Sequence, residues 1–372
     1  MKYPRVEEVC AVLRRLAPED LAEDWDNVGL QLGDPDRRVA RIGVALEVTS
    51  DLVDRGCGDD LDMLVTHHPL IFSPLRAVVP KDRVGRLIYD LLSRRTAVYA
   101  AHTNLDKSGL GPSARMARRL GLEDSVPIIP ERDLMKLTVF VPADSLPRLR
   151  RALGDAGAGA IGDYSHCTFA ASGQGTFRPS STSNPYLGER GEINSVDEFR
   201  LETVAPRRML GDLIEIILRE HPYEEPAYDV HALDIPANVG LGRLGQMSQT
   251  HKLNDLAANL ANMAGINSLR IIGDEDRRVR EVAISSGAGS GIWESAMSKG
   301  ADVLITGDVS YHAAEDMAAA GLAVIDMGHA GSEAPFLDDF AAALRDGLEE
   351  AGYDCELIEL EPIIDPWTSI HI

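Results

Sequence analysis

Three histidines and two carboxylates in this sequence have the residue types of a site for divalent metal ions. They are His67, His68, Asp106, His329 and Glu333. Neutral imidazoles and ionised carboxylates suit Zn²⁺, Mn²⁺, Fe²⁺ or Co²⁺, and two or three histidines with two carboxylates are the ligands expected for a pair of such ions. The four cysteines form no CxxC pair, so a closed zinc site built on thiolates is disfavoured.

The positions of His67 and His68 favour a shared site. Both follow the apolar segment Met63–Thr66, and ligands of open α/β sheets collect beyond the carboxyl ends of strands. Adjacent residues on a strand point to opposite faces, so both rings reach one site only if the chain turns there. Pro69 favours such a turn. Taken alone, the pair is equally well explained as two partly exposed loop histidines.

His329 and Glu333 supply the other half of the set. On a helix, their four-residue spacing would put both side chains on one face. Gly328 and Gly331 instead predict a loop that runs into a helix beginning near Ser332.

An internal repeat predicts the elements that position these residues. Residues 39–66 align without a gap on residues 279–306, and each copy has the pattern strand, helix, strand. Each copy continues with an apolar strand and a histidine four residues before a carboxylate: Ala97–Ala100 with His102 and Asp106, and Ala323–Asp326 with His329 and Glu333. The repeat predicts a duplicated α/β core with buried parallel strands and a site between two pseudo-symmetric halves.

A different pattern interrupts this core. Residues 130–235 read as strand, helix, strand, strand, helix, strand, which predicts an inserted ferredoxin-like α+β module. A polar stretch at 173–192 predicts a long protruding loop within it. The predicted domains are therefore 1–129 for the first half of the core, 130–235 for the module and 236–372 for the second half.

The composition excludes some classes of protein. With 59 acidic and 37 basic residues the net charge of the 372-residue chain is −22, which argues against nucleic-acid binding. Its apolar runs fall short of the roughly 20 residues of a membrane span. The scattered cysteines predict reduced structural thiols, and together these features predict a cytoplasmic protein. The cysteines are Cys10, Cys57, Cys167 and Cys355.

Several motifs together resemble the NIF-three-like family, whose members carry the label GTP cyclohydrolase I type 2 homolog. They are THHPL at 66–70, AHTNLD at 101–106, TGD at 306–308 with His312, GHAGSE at 328–333, WDNVG at 25–29 and GLGRLG at 240–245. The resemblance covers essentially the whole chain. It implies a toroidal homohexamer of chains with a duplicated α/β core, and a CutA-like or PII-like identity for the inserted module, on the motif HPYEEP at 221–226.

The resemblance also implies a dinuclear metal site in which Glu333 bridges two ions held with His67, His68, Asp106 and His329. Zinc is the first choice of metal, and manganese, iron and cobalt are alternatives. The implied function is a metal-dependent hydrolase with a metal-bridged water as nucleophile. Its substrate would be GTP or another nucleotide or phosphorylated compound. The alternative is a non-enzymatic metal-binding or regulatory protein whose inserted module senses a ligand or partner.

His102 and His312 have no ligand role in this scheme. Either would orient water or act as a general acid or base near the ions, and the alternative for both is a hydrogen-bonded structural histidine. The remaining histidines are predicted to be structural or at the surface: His166, His221, His231, His251 and His371.

Two glycine-rich segments bear on ligand binding. GLGRLG at 240–245 matches GxGxxG but lacks the following helix, so it predicts a tight loop rather than a dinucleotide site. The segment 286–291 lies between a predicted strand and helix, where exposed amides suit an anion or a close-packed turn.

Overall fold

The computed structural model describes residues 2–56, 61–360 and 367. Cys57 and His371 lie outside the described residues. The chain divides into two compact units: a core unit, Met1–Pro130 with Asn238–Ile372, and an inserted unit, Glu131–Ala237. The predicted module boundaries, 130 and 235, lie one and two residues from the bounds of the inserted unit.

The first half of the core unit alternates short buried strands with helices. Its elements are α1 Val6–Leu16, β1 Gly29–Leu32, β2 Arg41–Ala45, β3 Met63–Thr66, α2 Arg83–Arg94, β4 Ala97–Ala100, α3 Thr103–Lys107, α4 Pro112–Arg119, β5 Glu123–Val126 and β6 Ile129–Pro130. The inserted unit follows with β7 Leu134–Pro142, α5 Leu146–Asp155, β8 Thr168–Phe177, β9 Asn194–Pro206, α6 Leu210–Glu220 and β10 Tyr228–Ala232.

The second half of the core unit completes the chain. Its elements are β11 Gly240–Leu241, β12 Arg243–Lys252, α7 Leu253–Ala264, β13 Arg270–Ile272, β14 Arg278–Ile284, α8 Trp293–Ser298, β15 Val303–Thr306, α9 Tyr311–Ala320, β16 Ala323–Asp326, α10 His329–Glu333, α11 Asp338–Glu350 and β17 Glu356–Glu359.

Four neighbouring strands follow the same order in the two main sheets of the core unit, and the predicted mixed α/β class is confirmed. One sheet runs β1-β4-β3-β2-β17, and the other runs β13-β16-β15-β14-β12-β5. In the first, β2, β3 and β4 are parallel and β1 pairs antiparallel with β4. In the second, β14, β15 and β16 are parallel and β13 pairs antiparallel with β16. This correspondence supports the predicted duplication.

The strands β3, β4, β15 and β16 are buried along their whole length and mostly apolar, because both faces of each sheet are covered. In β3, Met63 and Val65 pack into one hydrophobic cluster and Leu64 packs into another on the opposite face. In β15, Val303 and Ile305 face one cluster and Leu304 faces another. The polar residues that follow each strand therefore collect at the strand ends.

The inserted unit contains an antiparallel sheet in the order β10-β7-β9-β8. Helices α5 and α6 supply apolar side chains to the same core as this sheet, including Leu149 and Ile217. This arrangement supports the predicted ferredoxin-like module. The loop predicted at 173–192 is shorter than expected, because the β8–β9 ladder extends to the pair Phe177 and Asn194.

Cys10, Cys167 and Cys355 are free thiols, and burial raises the pKa of Cys10 to about 12. Within the described ranges, the structure contains no helix of the length and apolar character that a membrane crossing demands.

Candidate metal centre

His67 and His68 lie where the chain leaves β3. Their ring centroids are 5.2 Å apart and the ring planes are inclined by only 38°, so the two imidazoles share one side of the chain. The Thr66 hydroxyl donates to the backbone carbonyl of His68 at 2.9 Å and stabilises this departure from strand geometry. The turn that a shared site requires is therefore present.

His329 and Glu333 lie on one helical turn, and the prediction that the helix begins near Ser332 is wrong. Helix α10 begins at His329 because Gly328 takes a φ of 73°, a left-handed conformation that reverses the chain directly after β16. The i, i+4 spacing then brings His329 Nε2 to 3.2 Å from Glu333 Oε2.

The two carboxylate oxygens of Glu333 face different imidazoles. Oε2 lies 3.0 Å from His68 Nε2 and 3.2 Å from His329 Nε2. Oε1 lies 3.8 Å from His67 Nε2, which is itself 3.5 Å from Asp106 Oδ1. The five predicted ligands thus form two groups that meet at one buried carboxylate.

Two buried atoms of this cluster are suited to bind a cation. His67 donates its Nδ1 proton to the carbonyl of Ala101 at 2.8 Å, so the lone pair of Nε2 faces the cluster. Among the described residues, neither His67 Nε2 nor Asp106 Oδ1 has a hydrogen-bond partner. A buried lone pair beside a buried carboxylate oxygen is costly unless a cation lies between them. The donor set therefore fits a divalent metal.

The electrostatics of the cluster also favour cations. Burial disfavours a charged His67, but Asp106 and Glu333 outweigh this effect and raise its pKa to about 9. Burial likewise opposes ionisation of Glu333, but its close contacts with His329, His67 and His68 hold its pKa well below the usual range. Burial raises the pKa of Asp106. The two carboxylates therefore stabilise positive charge in this cluster, which suits bound divalent cations.

Two carboxylates that were not identified from the sequence orient the histidines of the cluster. Asp308 Oδ2 lies 2.7 Å from His329 Nδ1, and Asp26 Oδ1 lies 2.8 Å from His102 Nδ1. Asp26 also accepts from the backbone NH of Thr103 at 3.0 Å. Carboxylates in this position fix the tautomer and increase the basicity of the other ring nitrogen. Asp26 lies in the motif WDNVG and Asp308 in the motif TGD, so these two motifs were the sequence features that could have identified them.

The structure separates the two remaining candidate histidines. A ring nitrogen of His102 lies within 4.8 Å of ligand atoms of both His67 and His68, so His102 belongs to the cluster. Among the described residues, His312 is in neither of the groups that could hold a metal ion. Its side chain is 90% exposed on α9 and lies 3.8 Å from Glu315. The catalytic hypothesis for His312 therefore has no geometric support.

A cavity of about 530 Å³ opens onto the cluster. The exposed rings of Trp25 and Phe72 lie at its wall, together with part of the segment 286–291. In that segment, the amide of Ser286 donates to Ser113 Oγ at 3.0 Å and the amide of Gly287 donates to Ser332 Oγ at 2.9 Å. These two amides already have protein partners, which favours the close-packed turn over an anion site.

The motif GLGRLG does not form a dinucleotide-binding turn. Gly242 has a φ of 63° and joins β11 to β12, so a strand follows where a helix would be required. Arg243 is buried and donates to the carbonyls of Gly240, Gly242 and Ser108. The segment thus returns the chain to the core, as predicted.

The fold and the cluster define the class of this protein. It is a mixed α/β protein with a cluster of histidines and carboxylates that suits divalent ions. The family model described as Duf34/NIF3 (NGG1p interacting factor 3) matches residues 4–366. The chain belongs to this family, which confirms the resemblance seen in the motifs.

Similar proteins match all or most of the chain. A Halalkalibacterium halodurans protein named GTP cyclohydrolase 1 type 2 homolog is 35% identical over 373 residues, covering 100% of both chains. A Bacillus subtilis protein of the same name is 37% identical over 326 residues, 87% of each chain. The crystal structure of a Bacillus cereus protein related to NIF3 has a TM-score of 0.87 at 34% identity and covers 100% of both chains.

Proposed function

We propose that this protein is a metal-dependent hydrolase with two divalent ions at the cluster of His67, His68, Asp106, His329 and Glu333. The observation that carries the proposal is the placement of Glu333, whose two oxygens face two separate sets of imidazole nitrogens. A carboxylate in that position suits a bridge between two ions. Zinc is the first choice, and manganese, iron and cobalt suit the same ligands.

The side chains around this cluster have distinct parts in the proposed chemistry. Two bound ions would polarise a substrate oxygen and lower the pKa of water. Asp308 holds the ring of His329, and the carbonyl of Ala101 holds the ring of His67. Asp26 holds Nδ1 of His102, which leaves Nε2 to accept or return a proton at the reacting group.

The substrate and the assembly are proposed by likeness to relatives. Two relatives are named GTP cyclohydrolase 1 type 2 homolog, so GTP or another nucleotide or phosphorylated compound is the proposed substrate class. The family resemblance supports a homohexamer, a CutA-like or PII-like inserted module and a place in the cytoplasm.

Turnover by metal-loaded protein tests the function. Protein loaded separately with Zn²⁺, Mn²⁺ or Fe²⁺ is given GTP and a panel of phosphoesters. We expect activity in wild-type protein and in Glu315→Gln, which changes an exposed carboxylate beside His312. We expect at least a hundredfold loss in Glu333→Gln, since this substitution removes the shared charge.

Two results would count against this proposal. Equal turnover in Glu333→Gln would place the activity elsewhere. Metal binding without turnover of any substrate would favour the non-enzymatic function, in which the protein binds metal and its inserted module senses a ligand or partner.

A further inference from the structure

The inserted unit contains a cavity of about 670 Å³ that the proposed hydrolase does not use. Its walls come from β8, β9, the loop that follows β8 and the segment after α6. That last segment carries HPYEEP at 221–226, the most recognisable motif of the module. The cavity and the motif are therefore parts of one feature.

The cavity lining contains four aromatic residues: Phe140, Phe177, Tyr186 and Tyr223. Three of these rings, Phe177, Tyr186 and Tyr223, lie close together. The ring centroid of Tyr223 lies 6.1 Å from that of Phe177 and 6.3 Å from that of Tyr186. The rings are inclined to Tyr223 by 51° and 48°, so they do not stack flat against one another. The three residues of this group all contribute to the cavity lining.

His221 fixes the central ring of the three. Its Nε2–H donates to the carbonyl of Phe140 at 2.9 Å, and its Nδ1 accepts from the backbone NH of Tyr223 at 3.1 Å. The imidazole also contacts the Tyr223 ring edge to face, with centroids 4.9 Å apart. Because His221 is buried, Tyr223 is held in position before any ligand arrives.

The phenol hydroxyls at the cavity both donate to carboxylates. Tyr223 donates to Glu198 Oε1 at 2.7 Å, and Tyr186 donates to Asp144 Oδ2 at 2.9 Å. These bonds leave the hydroxyl protons unavailable to an anionic ligand. A phenol that donates to a carboxylate also has a more electron-rich ring, which favours a cation over its face.

Acidic side chains outnumber basic ones among the described residues that line the cavity. Glu198, Glu224 and Glu225 are opposed by Arg178 and Arg200. Arg200 is already paired, with Nε 3.0 Å from Glu202 Oε1. The charge of the lining is therefore complementary to a cation.

A glycine on β8 lets one carboxylate lie against the cavity wall. A Cβ at Gly175 would lie 2.2 Å from Glu198 Oε2, so any larger residue would displace this carboxylate. Glu198 thus lies between β8 and the hydroxyl of Tyr223.

We propose that this cavity binds a small organic cation, with an ammonium or alkylated ammonium group held by Phe177, Tyr186 and Tyr223 and balanced by Glu198 and Glu225. Aromatic faces around a cation, with carboxylates at the edge, are the usual means of recognising such groups. This binding site is separate in its residues from the metal cluster and does not depend on the proposed hydrolase activity.

Calorimetric titration of the full-length protein with choline tests the proposal. The comparison ligand is the uncharged isostere in which a carbon atom replaces the nitrogen of choline, at the same ionic strength. We expect choline to bind at least tenfold more tightly than this isostere, because the two differ in charge and hardly in shape.

A variant and a matched control locate the binding. Tyr186→Ala removes one ring of the cavity and should weaken choline binding at least tenfold. Tyr164→Ala removes a tyrosine that is 75% exposed on the same unit and does not line the cavity, so it should leave binding unchanged. Equal binding of choline and its isostere would overturn the proposal. So would undetectable choline binding, or choline binding that Tyr186→Ala leaves unchanged.

Discussion

Replacement of Gly287 by alanine should disrupt one side of the metal cluster. Gly287 has a φ of 62°, and a Cβ there would lie 2.1 Å from Glu333 Oε1 and 3.4 Å from His329 Nε2. Real Cβ atoms essentially never approach within 3.0 Å of another heavy atom, so Oε1 must move by at least 0.9 Å. Oε1 is the oxygen that faces His67.

The expected size of the effect follows from bond lengths. Metal–oxygen bonds of about 2.0–2.2 Å tolerate errors of only about 0.2 Å, so the displaced oxygen is lost as a ligand. We expect at least a hundredfold loss of affinity for one ion. The left-handed backbone at position 287 would cost alanine a further 1–2 kcal/mol, roughly, in stability.

The assay is a titration of metal-free protein with Zn²⁺ against a competing chelator. Gly291→Ala is the control, because a Cβ at this position in the same segment meets no described atom within 4 Å. Circular dichroism checks that both variants are folded. If Gly287→Ala binds two ions with wild-type affinity, Glu333 Oε1 is not a ligand and Glu333 does not bridge the two ions.

Three further predictions concern the surroundings of the cluster, the core and the inserted unit. Asp308→Asn should lower metal affinity about 10–100-fold, measured by the same titration, because it weakens the bond that orients His329. Leu304→Ala should reduce the free energy of unfolding by about 2–5 kcal/mol, because Leu304 is fully buried. Met297 is exposed, so Met297→Ala should change this free energy by less than about 0.5 kcal/mol. Chemical denaturation measures both. Burial lowers the pKa of His221. Below about pH 6.5 the unfolded chain therefore binds a proton at this histidine, whereas the folded chain does not. Stability should therefore fall as the pH drops below that value, and His221→Gln should reduce this slope.

The sequence predicted the strands well because burial on both faces leaves a plain apolar pattern. Ala97–Ala100 and Ala323–Asp326 were located by that pattern and have the same bounds in the structure. The β8–β9 ladder was predicted too short, because its outer half is exposed and polar and has no apolar period. Backbone pairing there is a long-range property that composition does not reveal.

The site was less accessible to sequence reasoning than the strands. The start of α10 depends on the positive φ of Gly328, and a glycine only permits such a conformation without requiring it. Asp26 and Asp308 act through contacts with histidines that are 76 and 21 residues away in the chain. His312 follows the TGD motif closely, but its side chain is exposed. Helix α9 instead packs Met317 and Ala313 into a hydrophobic cluster.

Anomalous scattering from crystals of zinc-loaded protein would reveal whether Glu333 joins two metal ions. We predict two peaks about 3.5–4 Å apart, one beside His67 and Asp106 and the other beside His68 and His329. Glu333 Oε1 should be bound to the first and Oε2 to the second. A single peak, or two peaks without Glu333 between them, would show that Glu333 does not bridge two ions.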